Sequence, residues 1–224
     1  MTFQLLNLSI SIGQSPLFRP ISLSLNAGEI GTIMGPSGAG KSTILAAISG
    51  TLGPDFQIAG DILLGKRSLI GLKVQQRKVG ILFQEDLLFP HLNVAQNLLF
   101  ALPPGLSRQQ QQQRVREALA SAELPGFEER DVARLSGGQR ARISLLRTLL
   151  SEPDLILLDE PFAKLDLALR DPFRRWVFGR ITELNVPALL VTHDPNDCPD
   201  LSKRIELQAP HAAQKTTLNS TKGS

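Results

Sequence analysis

The hydrophobic pattern of the chain predicts two kinds of β-strand. Apolar and polar residues alternate from Phe3 to Ile12 and from Ile21 to Leu25, as expected of strands that bury one face. Later runs are short and predominantly apolar, which indicates buried strands. These runs are residues 30–34, 79–83, 155–158 and 188–191, and a further short strand is predicted at 62–64.

Helical character dominates a long central stretch, from about residue 94 to residue 150. Ser107 is the predicted N-cap of a helix in this stretch, because a serine hydroxyl can accept a hydrogen bond from the first helical turn. The apolar face of that helix consists of Val115, Ala118, Leu119 and Ala122.

A further helix is predicted after residue 170. Asp171 followed by Pro172 suggests an N-cap with proline at the first helical position. The apolar residues that follow have helical spacing and predict a face packed into the core. They are Phe173, Trp176, Val177, Ile181 and Leu184.

Strands alternating with helices predict an α/β fold with a mostly parallel sheet and an N-terminal antiparallel β region. The helical stretch, about residues 86–150, interrupts this pattern as an inserted subdomain. We therefore expect a single folded domain over residues 1–208. Residues 209–224 are polar and aperiodic, and we expect them to be a disordered tail.

Composition narrows the possible functions. The net charge is only +3, with 24 Lys and Arg against 21 Asp and Glu, and there is no tyrosine. Without an arginine-rich arm or an aromatic platform, nucleic acid is not an expected partner. Cys198 is the only cysteine, which fits a reducing compartment such as the cytoplasm. No apolar run is long enough for a bilayer and no signal peptide is evident, so we expect a soluble protein whose membrane role would require a partner.

The candidate chemistry begins at residues 35–42, which read G-P-S-G-A-G-K-S and match the phosphate-binding loop G-x-x-x-x-G-K-[ST]. Its backbone N–H groups can surround a triphosphate, Lys41 can reach the β- and γ-phosphates, and Ser42 can offer its hydroxyl to Mg²⁺. An apolar strand precedes the loop and a helix follows it, which is the required context. The predicted ATP-binding residues here are Gly35, Pro36, Ser37, Gly38, Ala39, Gly40, Lys41, Ser42 and Thr43. The fold is thus predicted to be a phosphate-loop NTPase core.

Two carboxylates, Asp159 and Glu160, end the apolar run 155–158. Side chains alternate in direction along a strand, so the two cannot have the same task. One can hold the Mg²⁺ shell while the other faces the γ-phosphate and polarises the attacking water.

A second anion-binding helix N-terminus is predicted at residues 135–139, which read L-S-G-G-Q before a helical segment. One ATP does not need two such sites in one subunit. With this pentapeptide the chain resembles the nucleotide-binding subunits of ATP-binding cassette (ABC) transporters, and the resemblance covers roughly residues 3–208. It implies that Ser136, Gly137, Gly138 and Gln139 face the γ-phosphate held by another subunit.

The resemblance also implies roles for residues elsewhere. Gln84 matches the glutamine loop, which senses Mg²⁺ and the nucleophilic water and touches the membrane subunit. His193 matches the switch histidine that contacts the γ-phosphate. Glu160 is then the catalytic base, Asp159 a metal ligand beside Ser42 and Gln84, and Asp166 a nucleotide-site residue after the catalytic carboxylate.

The implied protein is an ATPase at the cytoplasmic face of the inner membrane. Two copies bind two ATP head to tail, and their closure drives permease subunits. Residues 80–100 look most like importers for thiamine, ferric iron, sulfate or molybdate, systems that also use a solute-binding protein. Two alternatives stay open, namely a soluble cassette ATPase acting on ribosomes or DNA, and a phosphate-loop kinase, which would not need residues 135–139.

Three positions depart from the family pattern. Ile12 stands where an aromatic residue usually stacks on adenine, and Phe18 is a candidate substitute. Lys164 replaces a small residue before Leu165 and Asp166. Two prolines follow His193, which predicts a short or irregular helix there.

Overall fold

The computed structural model describes residues 1–208 and contains ten strands and six α-helices over that range. The strands are β1 (Phe3–Ile12), β2 (Ser15–Pro16), β3 (Ile21–Leu25), β4 (Ile30–Met34), β5 (Phe56–Leu64), β6 (Arg67–Ser68), β7 (Val79–Leu82), β8 (Leu155–Asp159), β9 (Ala188–Thr192) and β10 (Arg204–Glu206). The helices are α1 (Lys41–Ser49), α2 (Val74–Arg77), α3 (Val94–Leu99), α4 (Arg108–Ser121), α5 (Gly137–Leu150) and α6 (Leu167–Leu184). Short 3₁₀ turns lie at Val132–Arg134, Pro195–Asp197 and Leu201–Lys203.

These strands form one antiparallel and one parallel sheet, which confirms the predicted fold class. In the antiparallel sheet the order is β2-β1-β5-β6, and β3 also pairs with β1. In the other sheet the order is β10-β4-β9-β8-β7, and every pairing is parallel. The carboxyl ends of parallel strands meet at one edge, where α/β proteins bind ligands. Because the phosphate loop, Gln84, Glu160 and His193 follow β4, β7, β8 and β9, they all lie along that edge.

The buried runs owe their continuous apolar character to packing on both faces of the parallel sheet. On one face, Leu155 and Leu157 of β8 pack in a core shared with α1 and the antiparallel sheet. On the other face, Ile156 and Leu158 pack against α5 and α6. Burying both faces leaves no position for a polar side chain in the middle of the strand.

The helical stretch builds a third core from α3, α4 and α5. Ser107 accepts a hydrogen bond from the backbone N–H of Gln110, which confirms the predicted cap of α4. Val115 and Leu119 of the predicted face are buried. No helix among the described residues combines the length and the apolar character that a bilayer-spanning segment requires.

The predicted start of the last long helix is wrong. Helix α6 begins at Leu167 with Asp166 as N-cap, and Pro172 lies inside it. Pro172 lies beyond the first turn of α6, where it removes the backbone hydrogen bond to Ala168 and its ring crowds that carbonyl, but the helix continues through it. Asp171 pairs with Arg174 instead of capping. On the predicted core face, Leu184 is exposed.

Two further predictions concern the C-terminal part. The irregular segment expected after His193 is confirmed, since Pro195–Asp197 forms only a 3₁₀ turn. Strand β10, which has three residues and pairs with β4, is absent from the predicted pattern. The expected disordered tail, residues 209–224, lies outside the described residues.

Candidate active site

The phosphate loop connects β4 to α1 at the carboxyl edge of the parallel sheet. Gly40 ends the loop in a left-handed conformation, with φ +95°. A Cβ at this position would lie 3.0 Å from the ring of Phe18, so both conformation and space require glycine. Pro36, Ser37 and Gly38 are exposed, so the loop is open to a ligand.

Lys41 is held over the inside of this loop. It is only 6 % exposed, and its ammonium donates to the carbonyls of Gly35 at 2.8 Å and Pro36 at 3.0 Å. Its Nζ also lies 3.8 Å from a carboxylate oxygen of Glu160. The structure thus brings the predicted phosphate ligand and the predicted base together.

Asp159 ends β8 next to the first turn of α1. Burial raises the pKa of its carboxyl, and the negative charge of Glu160 raises it further. The charge of Lys41 and a hydrogen bond from Ser42 oppose this rise. Carboxylate and hydroxyl oxygens are ligands that suit Mg²⁺, and a cation would offset the crowding of negative charge, so this pair fits the predicted metal role.

Glu160 turns the chain sharply after β8. Its φ is +45°, a rare conformation for a residue with a side chain, and such strain is concentrated at functional sites. Its backbone N–H donates to the carbonyl of Val191 on β9. A carboxylate oxygen lies 3.1 Å from Nδ1 of His193, which follows β9 and is 58 % exposed. The predicted base and switch histidine are therefore direct neighbours in the folded chain.

Two ion pairs fasten the segment after His193 to α6. Arg170 pairs with Asp194 at 2.9 Å, and Arg174 pairs with the buried Asp197 at 3.0 Å. Asp197 also accepts a hydrogen bond from Thr192, the residue before His193. Sequence patterns missed these supports, because the paired residues lie more than 20 positions apart.

The second predicted anion site opens α5. The Ser136 hydroxyl accepts a hydrogen bond from the backbone N–H of Gln139, while the Gln139 side chain accepts one from the backbone N–H of Ser136. This capping box orders the N-terminal turn of α5. The turn includes the exposed Gly137 and can therefore bind an anionic ligand.

The two predicted anion sites face different cavities. A cavity of about 360 Å³ is lined by phosphate-loop residues, including Lys41 and Ser42, and by Glu160. Another, of about 420 Å³, is lined by Gly137, Gln84 and Lys164. Neither Gln84 nor residues 136–139 are among the described residues that line the phosphate-loop cavity. One copy of the chain thus separates groups that the sequence assigns to one nucleotide site.

The departures from the family pattern have different structural outcomes. Lys164 forms an ion pair at 3.1 Å with Glu85, the residue after Gln84. Asp166 is exposed at the start of α6. Phe18 is only 1 % exposed and packs beneath Gly40, so its ring has no exposed face on which a base could stack. Its proposed substitution for the missing aromatic residue is therefore incorrect.

Comparison with known proteins identifies the family. The family model for ABC transporters matches residues 18–163, well over half of the chain. The chain belongs to the ABC transporter family. Together with its fold, this membership makes the protein an ATP-binding ABC ATPase and confirms the resemblance drawn from its motifs.

Relatives of this ABC ATPase are ATP-binding proteins of transporters. It is 44% identical over 201 residues to an uncharacterized ABC transporter ATP-binding protein, YnjD of Escherichia coli, covering 90% of this chain and 93% of YnjD. It is 38% identical over 210 residues to the sulfate/thiosulfate import ATP-binding protein CysA of Halalkalibacterium halodurans, covering 92% of this chain and 58% of CysA. It is 36% identical over 195 residues to the Fe(3+) ions import ATP-binding protein FbpC of Escherichia coli O157:H7, covering 87% of this chain and 55% of FbpC. The chain thus spans little more than half the length of these two import proteins.

Solved structures of ABC proteins share its fold. A dimeric, post-hydrolysis structure of the ATP-binding cassette MJ0796 bound to ADP and Pi has a TM-score of 0.74 and 27% identity, covering 92% of this chain and 94% of that one. Clostridium perfringens cbiO1, part of the ABC transporter complex cbiONQ, has a TM-score of 0.80 and 25% identity, covering 92% and 84%.

Proposed function

We propose that this ABC ATPase works as a homodimer that hydrolyses two shared ATP molecules and powers solute import through a permease. The observation that carries the proposal is the separation of the phosphate loop and the α5 N-terminus onto different cavities. Each anion-binding site is incomplete in one copy, and a head-to-tail second copy supplies the other half. The dimeric MJ0796 cassette supports this arrangement.

In this dimer, residues 35–43 of one copy bind the phosphates, and residues 136–139 of the other copy cover the γ-phosphate. Asp166 lies at the same interface. Its neighbour Leu167 is 83 % exposed, and Leu169 packs beside Gly138 at the α5 N-terminus. These exposed leucines give the interface apolar surface whose burial favours closure.

Glu160 is the base in hydrolysis. Its carboxylate accepts a proton from water as the water oxygen bonds to the γ-phosphorus and the bond to the β-phosphate oxygen breaks. His193, 3.1 Å away, orients Glu160 and contacts the γ-phosphate. Lys41 exchanges its loop carbonyls for phosphate oxygens when ATP binds. Ser42 and Asp159 would hold Mg²⁺, which would neutralise phosphate charge. Gln84, which lines the second cavity in one copy, would join the metal shell only by moving toward them on ATP binding.

The dimer is tested with Glu160→Gln, which removes the base but keeps both binding halves. Light scattering with ATP and Mg²⁺ is expected to show a dimer for this variant and a monomer without nucleotide. Adding Ser136→Arg to it should abolish the dimer while ATP still binds, because only the partner's half is blocked. A Glu160→Gln variant that stays monomeric with saturating ATP would refute the shared site.

A groove between β7 and the helical subdomain is the proposed docking surface for the permease. It is lined by Phe83, Leu87, Phe89 and Phe100 and has a volume of about 470 Å³. Phe100 is 71 % exposed and Leu87 50 % exposed, which is unusual for large apolar side chains. Arg147 lines the same groove, and burial lowers the pKa of its guanidinium. This surface fits an amphipathic helix with an apolar face and an acidic residue.

Because Gln84 directly follows Phe83, the same segment connects the groove to the second anion-binding cavity. A movement of the nucleotide site on ATP binding can thus be transmitted through this segment to a docked permease. We place the ATPase as a peripheral subunit at the cytoplasmic face of the inner membrane.

Docking is tested by tagged purification from detergent-solubilised native membranes, with mass spectrometry of the co-purifying proteins. Phe100→Asp is expected to lose a polytopic permease that the wild type retains. Leu201→Asp is the matched control, because Leu201 is also 71 % exposed but lies on a distant 3₁₀ turn. Equal permease recovery with both variants would place the docking surface elsewhere.

Import is supported by the similarity to the import ATPases CysA and FbpC. We infer that the complete system includes a solute-binding protein, which the same purification would identify together with its solute class. Ribosomal proteins or DNA-repair factors without a permease would contradict the transport proposal.

A further inference from the structure

The phosphate-loop cavity extends beyond the residues that surround the phosphates. It is also lined by Ile12, Leu17 and Phe56, which come from β1, the turn after β2, and β5. We call these three residues the apolar shelf. Ile12 is 48 % exposed, and Leu17 and Phe56 are partly buried against the core. The shelf is therefore a supported apolar surface that remains accessible from the cavity.

Strand register places two shelf residues side by side. Ile12 is the direct antiparallel partner of Phe56 at the ends of β1 and β5. Directly opposed residues in an antiparallel pair project from the same face, with Cβ atoms about 5 Å apart. An aromatic ring thus stands beside the position where the family pattern has its aromatic residue and this chain has Ile12.

A short turn fixes the place of Phe56 at the start of β5. Its backbone N–H donates to the carbonyl of Gly53 at 3.3 Å. The edge of its ring lies over Gly53, where a Cβ would come within 3.8 Å of the ring. Contacts with the core and this turn hold the ring at the cavity, so a ligand would meet an aromatic surface that is already ordered.

We propose that Phe56 binds the base of the nucleotide by stacking, with Ile12 and Leu17 completing an apolar site for the purine. This rests on the proposed placement of the triphosphate on residues 35–43. In that placement the phosphates occupy the loop end of the cavity and the base extends to the shelf. Phe56 thereby supplies from β5 the aromatic contact that position 12 lacks.

The shelf also determines the kind of selectivity expected. Its three side chains are apolar, so they recognise the flat face of a base and not its hydrogen-bonding edge. Substitution of Phe56 should lower the affinities for ATP and GTP by the same factor, since both purines offer a flat aromatic face.

Calorimetry with ATP and with inorganic tripolyphosphate tests the proposal. Phe56→Ala and Phe56→Leu are expected to lower the affinity for ATP by about 5- to 150-fold, which corresponds to the contribution of base–aromatic stacking to binding. Tripolyphosphate, which has no base, should bind each variant as it binds the wild type. Phe56→Leu keeps most of the apolar volume, so it preserves the test if Phe56→Ala does not fold.

Three outcomes are distinguishable. Loss of ATP affinity alone supports the shelf, whereas unchanged ATP affinity in Phe56→Leu overturns it. Equal loss of ATP and tripolyphosphate also overturns it, because Phe56 would then only support the loop. Lys41→Ala is the control for the loop itself and should weaken both ligands; if it weakens neither, the proposed phosphate placement fails instead.

A rescue variant and a spectroscopic signal strengthen the assignment. Ile12→Phe added to Phe56→Leu is expected to restore ATP affinity, because position 12 faces the same side of the sheet. In Phe56→Trp, ATP should quench the added tryptophan emission and tripolyphosphate should not. The wild type is the control, since its only tryptophan, Trp176, lies on α6. Absence of both the rescue and the quenching would contradict base stacking.

Discussion

Arg77 stabilises the end of the helix whose beginning carries the phosphate loop. It is 7 % exposed, and its Nη1 donates to the carbonyls of Ala47 at 2.7 Å and Ile48 at 2.9 Å. Both carbonyls belong to the last turn of α1, where backbone acceptors have no partner within the helix. The positive charge also favours the negative end of the helix dipole. Replacing Arg77 with Met removes the donors but keeps much of the buried volume.

The cost of Arg77→Met follows from the groups left behind. Each buried carbonyl without a donor costs about 1–3 kcal/mol. Burial of the charged guanidinium carries a desolvation penalty, which also lowers the pKa of Arg77. Its removal relieves this penalty and so offsets part of the loss. We therefore expect a loss of about 3 kcal/mol in the free energy of unfolding, in the lower half of the range of about 2–6 kcal/mol for two carbonyls. For a chain of this size that lowers Tm by about 6–12 °C.

Urea unfolding followed by circular dichroism measures this loss. The matched control is Arg67→Met, because Arg67 donates to the carbonyls of Gln76 and Arg77 but is exposed. Its carbonyls can turn to water, so we expect a loss below about 1 kcal/mol. Equal losses in the two variants, or none in Arg77→Met, would show that water satisfies the α1 carbonyls and that Arg77 is not needed for this.

Three shorter predictions concern the active site. Lys41→Ala should weaken ATP about 10- to 150-fold by calorimetry, since charged hydrogen bonds to phosphate are lost; unchanged affinity would place the phosphates elsewhere. In metal-free buffer, Asp159→Asn should raise Tm at neutral pH, although it loses Mg²⁺-dependent hydrolysis. The pKa of Asp159 is raised in the folded state, so the unfolded chain ionises first as pH rises above the ordinary carboxyl range. Wild-type stability therefore falls with pH until the folded pKa is passed. A wild-type Tm that declines no more than that of Asp159→Asn over this window would contradict the prediction. Lys164→Ala should change the unfolding free energy by less than about 1 kcal/mol in urea titrations, because Lys164 and Glu85 are both exposed; a larger loss would indicate a contact beyond the ion pair.

Much of the fold was predictable because its signals are local. A strand covered on both faces is apolar along most of its length, so the runs that became β4, β7, β8 and β9 were recognisable from their local sequence. The cap at Ser107 depends on atoms three residues apart. The start of α6 was not predictable in this way. Asp171 and Pro172 have the local pattern of a helix start, whereas the helix begins at Leu167 with Asp166 as N-cap.

The phosphate loop, the paired carboxylates and the second helix N-terminus were identified from the sequence, because each depends on residues adjacent along the chain. Which of these groups meet was established by the folded structure. It placed Glu160 beside His193, separated the loop from Ser136, and set Phe56 opposite Ile12. The physical reason is that such contacts depend on strand order and register, which arise from the packing of the whole chain and leave no fixed spacing in the sequence.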